Sequence, residues 1–514
     1  MSKVAKVTIA LMIATILAKT LGFGRELVLA SAYGATMYSD AYLVAMNIPI
    51  VIFSSIGGAV GTTFIPMYFN IHNNLGAKKS LEFTNNIFNI IIIICMIFTI
   101  IGLVFTEPLV RLFAYKFNPE TFDLTVRFTK ILIVGIVFIG INHIMTSYLQ
   151  VKNNFIIPGL ISLPYNIIII TSIILSIKHG SYVMVWGTLL GIISQFIFQL
   201  PFAIKYGFKY RPYINISDEY IKETILLLGP VFIGVAVNQI NAMVDRTLAS
   251  GLVEGSISAL NYANKLNQFV MALFIASVAA VIYPMLSKLS SEDDKEKFTQ
   301  TVIKSVNSVI LLVIPISIGA IVLANPIVRT LFERGEFDER ATKMTAIALV
   351  MYSLGMVAFG LRDILGKVFY SLQDTKIPMI NGAIAMGLNI ILNIILVRYL
   401  QLAGLALATS ISAIICIFLL FRSLKKKIGY FGQDKIIKTT IKSIISAVFM
   451  GIVTYFAYTF LNNLLGSGFI TEAISLFGSI SIGAIIYGVA MIALKVEEVS
   501  LITDMVKKKL NIES

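Results

Sequence analysis

Charged side chains stand inside long apolar stretches of this sequence. The first stretch contains Lys19, Arg25 and Glu26, and a later one contains Lys265. An ionisable residue within a membrane-spanning segment is unfavourable and marks a functional site by default. Cations that share a cavity suit an anion, and a phosphate or pyrophosphate above all. The residue types therefore predict an anion site that uses Lys19, Arg25 and Lys265.

The spacing of these cations agrees with a shared cavity. Lys19 lies about 22 Å along its helix at 1.5 Å per residue, which is too deep for easy snorkelling to the inner face. Lys19 and Arg25 lie within about 120° of each other around a helix that turns 100° per residue. Lys265 lies about 13 Å from the outer start of its own helix. The alternative, internal ion pairing as structural glue, stays open.

The apolar stretch near 220–250 adds two more charged residues, Asp245 and Arg246. Asp40 stands at the start of the second apolar stretch of the chain. Glu26 or Asp245 would act as the acid in the ion-pairing alternative, neutralising Arg25, Arg246 or Lys265. Asp40 and Arg246 are candidates for gating or ion pairing. For Asp40 in Ser39-Asp40, the favoured interpretation is a helix cap.

An uncharged polar set lies further along the chain. Asn389 and Asn393 are four residues apart and so share a helix face, and Thr409 belongs to the next helix. One carboxylate with neutral oxygens suits a monovalent cation, so Asp245 with these three residues predicts a candidate sodium site. Hydrogen bonding between helices by Asn and Thr is the equally weighted alternative. No other cofactor is indicated.

The composition identifies the setting of these residues. The chain has 514 residues, of which 57% are hydrophobic and 13% charged, and soluble proteins are about a quarter charged. The mean hydropathy is +0.87. These values exclude soluble, disordered and nucleic-acid-binding classes. Cys95 and Cys416 lie in apolar runs and are expected to be buried hydrophobes, and three scattered histidines indicate no metal site.

The long apolar runs of the sequence predict an all-α polytopic membrane protein with about fourteen spans of about 20 apolar residues each. The candidates run near 4–33, 39–69, 84–106, 124–150, 155–177, 181–206, 220–250, 256–288, 299–325, 342–372, 377–399, 402–422, 439–463 and 468–494. Lys and Arg concentrate in alternate loops, and the formal net charge is +14. The positive-inside rule then places both termini in the cytoplasm. Segments 107–130 and 325–343 are expected to run past the outer surface.

A weak internal repeat divides the chain. Leu29-Ala30-Ser31 recurs as Leu248-Ala249-Ser250, and Pro108-Leu109-Val110-Arg111 recurs as Pro326-Ile327-Val328-Arg329. The shared order predicts two six-helix lobes related by a parallel repeat, a design with the transport site between the lobes. The expected division is a lobe over 1–206, an amphipathic cytoplasmic linker over 207–219, a second lobe over 220–424, a basic cytoplasmic loop over 425–438, and two further helices with a tail over 439–514. The loop lysines serve either topology or anionic-lipid binding.

Two stretches of the sequence are rich in motifs. The first is Lys19-Thr20-Leu21-Gly22-Phe23-Gly24-Arg25-Glu26, followed by Ser39-Asp40-Ala41-Tyr42 and Phe64-Ile65-Pro66. The second is Asn261-Tyr262-Ala263-Asn264-Lys265-Leu266, followed by Tyr370-Ser371-Leu372-Gln373-Asp374. Together they resemble the MurJ/MviN family of lipid II flippases. The resemblance covers the whole chain and extends to a larger group of multidrug, oligosaccharidyl-lipid and polysaccharide exporters.

The resemblance implies a flippase that moves undecaprenyl-pyrophosphate-linked peptidoglycan precursor from the inner to the outer leaflet by alternating access, driven by membrane potential or a cation gradient. On matching positions, Lys19, Arg25 and Lys265 would hold the pyrophosphate beside Glu26. A sodium site would use Asp245, Asn389, Asn393, Thr409 and the carbonyl of Leu405. The implied partners are lipid II, membrane lipids and the cell-wall synthesis machinery, in a bacterial inner membrane and without nucleic acid.

Four positions depart from the family pattern. Ile52 stands where many members carry a further cavity arginine, and Asn393 stands where the sodium pattern often has aspartate. Lys19 and Lys265 stand where arginine is common, and lysine lacks the bidentate fork. An exporter of another polyprenyl-linked glycan, such as a teichoic acid, capsule or O-antigen unit, is the alternative function. A cation-coupled drug antiporter is less favoured because the cavity is net positive, and no catalytic residues point to an enzyme.

Overall fold

The structure, a computed structural model, describes residues 3–292, 294–466, 468–496 and 498. Within these residues the chain forms helices and no β-strand. The chain divides into two compact units. Unit 1 comprises residues 1–258 and 334–337, and unit 2 comprises residues 259–333 and 338–514. The all-α class expected from composition is confirmed.

Unit 1 contains nine helices and the start of a tenth. They are α1 (Lys3–Tyr33), α2 (Met37–Val104), α3 (Thr106–Ala114), α4 (Pro119–Leu132), α5 (Gly135–Val151), α6 (Ile156–Leu160), α7 (Ser162–His179), α8 (Tyr182–Lys205), α9 (Glu219–Ala249) and the first residues of α10 (Ser256–Val270). The long α2 is broken at Gly76, whose φ of 82° is a left-handed conformation that glycine adopts without strain. α2 therefore consists of two helices that meet at Gly76.

Unit 2 takes most of α10 and all later helices. They are α11 (Ala276–Ser291), α12 (Lys295–Val322), α13 (Ala324–Phe332), α14 (Glu339–Leu354), α15 (Met356–Ser371), α16 (Lys376–Leu400), α17 (Leu402–Ile428), α18 (Gln433–Leu465) and α19 (Phe469–Ala493). A π-helical turn, Met271–Ile275, joins α10 to α11. The connection from α17 to α18 covers only 429–432, so most of the basic segment 425–438 is helical rather than loop.

Nine helices among the described residues are long and apolar enough to cross a membrane. Two bent pairs raise the number to eleven if each pair is one span: α4 with α5, bent by 43°, and α14 with α15, bent by 45°. A multi-pass membrane architecture is therefore confirmed, whereas the expected count of fourteen is not. The bends divide two segments, 124–150 and 342–372, that were expected to be single helices.

The same succession of elements occurs once in each unit. A nine-residue helix, α3 or α13, precedes the bent pair. The first helix of each pair starts at a side-chain cap: Asn118 accepts from the amide of Thr121, and Asp338 accepts from that of Ala341, both at 2.8 Å. This succession is what a parallel repeat would produce. The two-lobe division with its stated boundaries stays a prediction.

Buried asparagines hold the segment that follows α8. Residues 208–215 form neither helix nor strand, and three asparagines of α2 bind their backbone. Asn86 donates to the carbonyl of Asn215 and accepts from its amide, both at 2.9 Å. Asn85 makes the same two kinds of bond to Lys209 and Arg211, and Asn89 donates to two carbonyls. The segment expected to be an amphipathic linker is thus fixed along unit 1.

Each unit has its own apolar core. The core of unit 1 includes Phe64 and Phe83, whose rings stack at 5.7 Å, and the core of unit 2 includes Phe431 beside Phe421 at 6.2 Å. Cys95 and Cys416 are free thiols buried in these two cores. The prediction that both cysteines act as small buried hydrophobes is confirmed.

Candidate functional site

Arg25 and Glu26 form a tight ion pair within α1. The guanidinium nitrogen Nη2 lies 2.7 Å from Oε1 of Glu26, whose side chain is only 2% exposed. The guanidinium carbon also lies 5.6 Å from the ring centroid of Tyr165 on α7. Charge-assisted hydrogen bonds are stronger in a low-dielectric interior, and a cation over a tyrosine face adds to this. Arg25 is therefore held in one orientation by two neighbours.

Lys19 differs from Arg25 in its surroundings. Its side chain is exposed, six residues before Arg25 on the same helix. Among the residues that the structure describes, it makes no ion pair. An exposed ammonium with three donors is available to a ligand that approaches α1. The pairing alternative thus describes Arg25 and not Lys19.

Asp40 binds the turn at the start of α10 rather than its own helix. Its Oδ2 accepts from the amide of Gly255 at 2.8 Å, and its Oδ1 accepts from the amide and hydroxyl of Ser258 at 2.8 and 2.6 Å. The side chain is 3% exposed. The cap expected for Asp40 is made instead by Thr36 and Ser39, which exchange hydrogen bonds in a capping box. A buried carboxylate with three donors ties two distant segments of unit 1 together.

Asp245 and Arg246 lie next to each other on α9, both half-buried. Nη1 of Arg246 donates to the carbonyl of Leu43 on α2 at 3.0 Å. A guanidinium that donates to a backbone carbonyl inside a span joins two helices and keeps its charge. Arg246 therefore acts, in this structure, as a link between α2 and α9 within unit 1.

Unit 2 holds the remaining predicted residues. Lys265 is half-buried on α10, one turn beyond Tyr262, whose ring packs on Phe332 at 5.3 Å. The predicted anion site thus draws Lys19, Arg25 and Glu26 from unit 1 and Lys265 from unit 2. Of these four residues, Arg25 and Glu26 are in direct contact in the structure.

Four of the five predicted sodium ligands lie together in unit 2. Asn393 donates to the side-chain oxygen of Asn389 at 3.1 Å, and Asn389 approaches the hydroxyl of Thr409 at 3.5 Å. That hydroxyl donates to the carbonyl of Leu405 at 3.0 Å. Both asparagines are buried. Hard neutral oxygens close to one another suit a sodium ion. Here they also bond among themselves, within α16, within α17, and between the two helices through Asn389 and Thr409. Asp245 belongs to unit 1.

Sequence reasoning missed three charged residues of α15. Arg362 and Asp363 are exposed, and Lys367 lies 5.7 Å from the ring centroid of Tyr283 and 6.0 Å from that of Tyr370. The signal was present, because all three lie inside the apolar segment 342–372 and an ionisable residue within a span is a functional candidate. Among the described residues, no group of three or more His, Cys, Asp or Glu side chains could hold a metal ion.

Comparison with known proteins identifies relatives over nearly the whole chain. The sequence matches the family described as "Lipid II flippase MurJ" over residues 29–475. A protein of Vibrio cholerae named "Probable lipid II flippase MurJ" is 31% identical over 80% of this chain and 81% of its own length. A solved structure titled "Lipid II flippase MurJ, inward closed conformation" is similar with a TM-score of 0.81, at 28% identity over 95% of this chain and 99% of that one.

A more distant likeness concerns the fold alone. A multidrug transporter of the MATE family, solved in an inward-facing conformation, is similar with a TM-score of 0.64 at 15% identity, over 82% of this chain and 98% of that one. The fold is therefore shared with the larger exporter group to which multidrug transporters belong. At this identity the likeness says nothing about cargo.

Proposed function

The chain belongs to the lipid II flippase MurJ family, and we propose that it carries lipid II from the inner to the outer leaflet of the membrane by alternating access. It is a transporter rather than an enzyme, and a multi-pass protein of a bacterial inner membrane. The observation that carries the proposal is the family match over residues 29–475. The comparisons do not favour export of another polyprenyl-linked glycan.

We propose Lys19, Arg25 and Lys265 as ligands of the pyrophosphate. Arg25 supports this role because Glu26 and Tyr165 hold its guanidinium in place, and a pre-oriented cation loses little freedom when an anion binds. Lys19 supports it because its ammonium is exposed inside an apolar helix. Lysines at two of the three positions supply charge without a bidentate fork. They therefore suit a cargo whose phosphates shift during transport.

Asp40 is proposed as a conformational latch within unit 1. Its three hydrogen bonds fix the start of α10 against the start of α2. Breaking them exposes buried donors, so the contact is either fully made or fully lost. Arg246 has a related role through its bond to the carbonyl of Leu43.

The energy source is proposed to be the membrane potential or a cation gradient. Asn389, Asn393, Thr409 and the carbonyl of Leu405 fit a sodium ion by the chemistry of their oxygens, and Asp245 is the candidate carboxylate. Sodium, when bound, would couple its own gradient to the conformational change. The distribution of Lys and Arg supports a further proposal, that both termini are cytoplasmic.

The test is translocation of lipid II by the purified protein in sealed liposomes. Lys19→Ala and Lys265→Ala should each reduce the rate at least tenfold, because each removes a charged partner of the pyrophosphate. Lys343→Ala is the matched control, since Lys343 is an exposed residue that pairs only at the surface with Glu339. Runs with a sodium gradient, with a potential and with neither separate the energy sources. No translocation by folded wild-type protein under any of these conditions would overturn the proposal.

A further inference from the structure

A small cavity opens at the lysine-rich end of unit 2. It has a volume of about 290 Å³ and lies where four helices end or begin: α11, α12, α15 and α17. Its apolar wall includes Leu289 and Phe298, which are 9% and 5% exposed. Its polar wall includes Ser290, Thr299, Lys295 and Lys427. The cavity thus combines an apolar floor with hydroxyls and cations.

Two described carboxylates near this cavity, Asp374 and Asp294, have cationic partners. Asp374 lies 2.5 Å from Nζ of Lys427, and this hydrogen bond lowers the pKa of Asp374. Asp294 lies in the cavity wall, where it accepts from the amide of Lys297 and pairs with its ammonium at 2.9 Å. Both negative charges are therefore compensated.

Lys295 belongs to the cavity wall but takes part in neither of these ion pairs. Its side chain is exposed at the cavity wall, and it forms no ion pair with any residue that the structure describes. Lys427 retains donors besides the one given to Asp374, because an ammonium carries three. Lys425 and Lys426 extend the positive charge along the last turn of α17. The charge at the cavity is therefore complementary to an anion.

Size and position select the kind of anion. Pockets for drug-sized ligands measure about 300–1,000 Å³, so this cavity suits one headgroup and not a glycan-peptide cargo. The lysines belong to loops and helix ends that the positive-inside rule assigns to the cytoplasmic side. Basic pockets between spanning helices on that side bind phosphate-bearing lipid headgroups. The apolar floor suits the first methylenes of the acyl chains.

We propose that this cavity binds the phosphodiester headgroup of an anionic phospholipid from the cytoplasmic leaflet. The phosphate lies between Lys295 and Lys427, and the hydroxyls of Ser290 and Thr299 meet the glycerol. The site uses none of the residues assigned to lipid II. The site would bind its lipid whether or not the chain moves lipid II. The proposal rests only on the proposed orientation of the chain in the membrane, with the lysine-rich helix ends on the cytoplasmic side.

The experiment measures binding of labelled phosphatidylglycerol to the full-length protein in detergent, with phosphatidylcholine as the neutral comparison. Lys295→Gln should weaken phosphatidylglycerol binding about fivefold, the contribution of one lysine near a lipid phosphate. Thr299→Trp, which fills the cavity and leaves the charge unchanged, should weaken it at least as much. Lys435→Gln removes an exposed lysine of α18 outside the cavity wall and should change binding by less than twofold.

The outcomes separate a built site from a diffuse basic surface. Equal losses in Lys295→Gln and Lys435→Gln, or equal binding of the two lipids, would overturn the proposal. Full competition by millimolar glycerol 3-phosphate would assign the cavity to a soluble phosphate compound and also overturn the lipid form. Elution profile and melting temperature identify any variant that fails to fold. Lys295→Gln, which breaks no ion pair among the described residues, decides the question if Thr299→Trp does not fold.

Discussion

Asp40 provides the sharpest perturbation of the structure, because one buried carboxylate accepts three hydrogen bonds. Asp40→Asn keeps the size of the side chain and exchanges one acceptor oxygen for a donor NH2. Its remaining oxygen serves either the amide of Gly255 or the amide and hydroxyl of Ser258. At least one buried amide therefore loses its acceptor, whichever way the new amide points.

The magnitude follows from the number of bonds lost. A hydrogen bond to a charged group contributes about 1.5–3 kcal/mol. The 3% exposure of Asp40 means that solvent does not compensate for the loss. The free energy of opening the turn at Gly255 and Ser258 should fall by that amount. Each 1.4 kcal/mol is tenfold in an equilibrium constant, so the open population should rise about 10- to 150-fold.

Hydrogen exchange measured by mass spectrometry reads this opening directly. In the peptide that covers residues 253–260, amide exchange should accelerate by the same factor in Asp40→Asn, because exchange follows the open population. Asp123→Asn is the matched control: Asp123 is 59% exposed and its pair with Arg127 is a surface contact that contributes at most about 1 kcal/mol. Acceleration below threefold in Asp40→Asn would refute the assignment of these hydrogen bonds.

Three further predictions concern other parts of the chain. Asn86→Ala removes two buried bonds to Asn215, so cleavage of the segment 208–215 by limited proteolysis should accelerate at least tenfold, whereas the exposed Asn74→Ala should leave it unchanged. Gly255→Ala should lower the melting temperature far more than Gly180→Ala. Both glycines have positive φ, but a Cβ at Gly255 would lie 2.0 Å from the carbonyl oxygen of Ala35, whereas a Cβ at Gly180 would meet nothing within 4 Å. Equal shifts in melting temperature would contradict this close approach. The hydrogen bond from Lys427 lowers the pKa of Asp374 in the folded protein. The bond therefore stabilises the fold above the unfolded pKa of about 3.9, and this stabilisation is lost as the pH falls through the lower folded pKa. As the pH is lowered, the melting temperature should drop less steeply in Asp374→Asn than in wild type.

Composition and motifs were sufficient to predict the fold class and the family. A chain with 57% hydrophobic residues in long runs has few architectures available, and helices satisfy their own backbone hydrogen bonds in lipid. Arg25 and Glu26 could be identified because a charge inside an apolar run is a local signal. The contact of Arg25 with the ring of Tyr165 could not be predicted, since it joins residues 140 positions apart.

Other features depend on contacts that sequence periodicity does not contain. Asp40 looked like a helix cap because Ser39-Asp40 begins an apolar run, yet its partners lie more than 200 residues away. The asparagines of α2 gave no signal, because their partners are backbone groups of the segment 208–215 and any residue offers such groups. The bends within 124–150 and 342–372 interrupt helices without interrupting hydrophobicity. A hydropathy reading therefore treats each bent pair as one helix.

Movement of lipid II by this chain can be measured against movement of a different polyprenyl-linked cargo. Purified wild-type protein in sealed liposomes is given lipid II in one leaflet and, in a parallel preparation, a polyprenyl-pyrophosphate that carries an unrelated glycan. Lipid II should reach the opposite leaflet at least tenfold faster than in protein-free liposomes, while the unrelated glycan should stay near the protein-free rate. Rapid translocation of the unrelated glycan with lipid II left in place would contradict the proposed function.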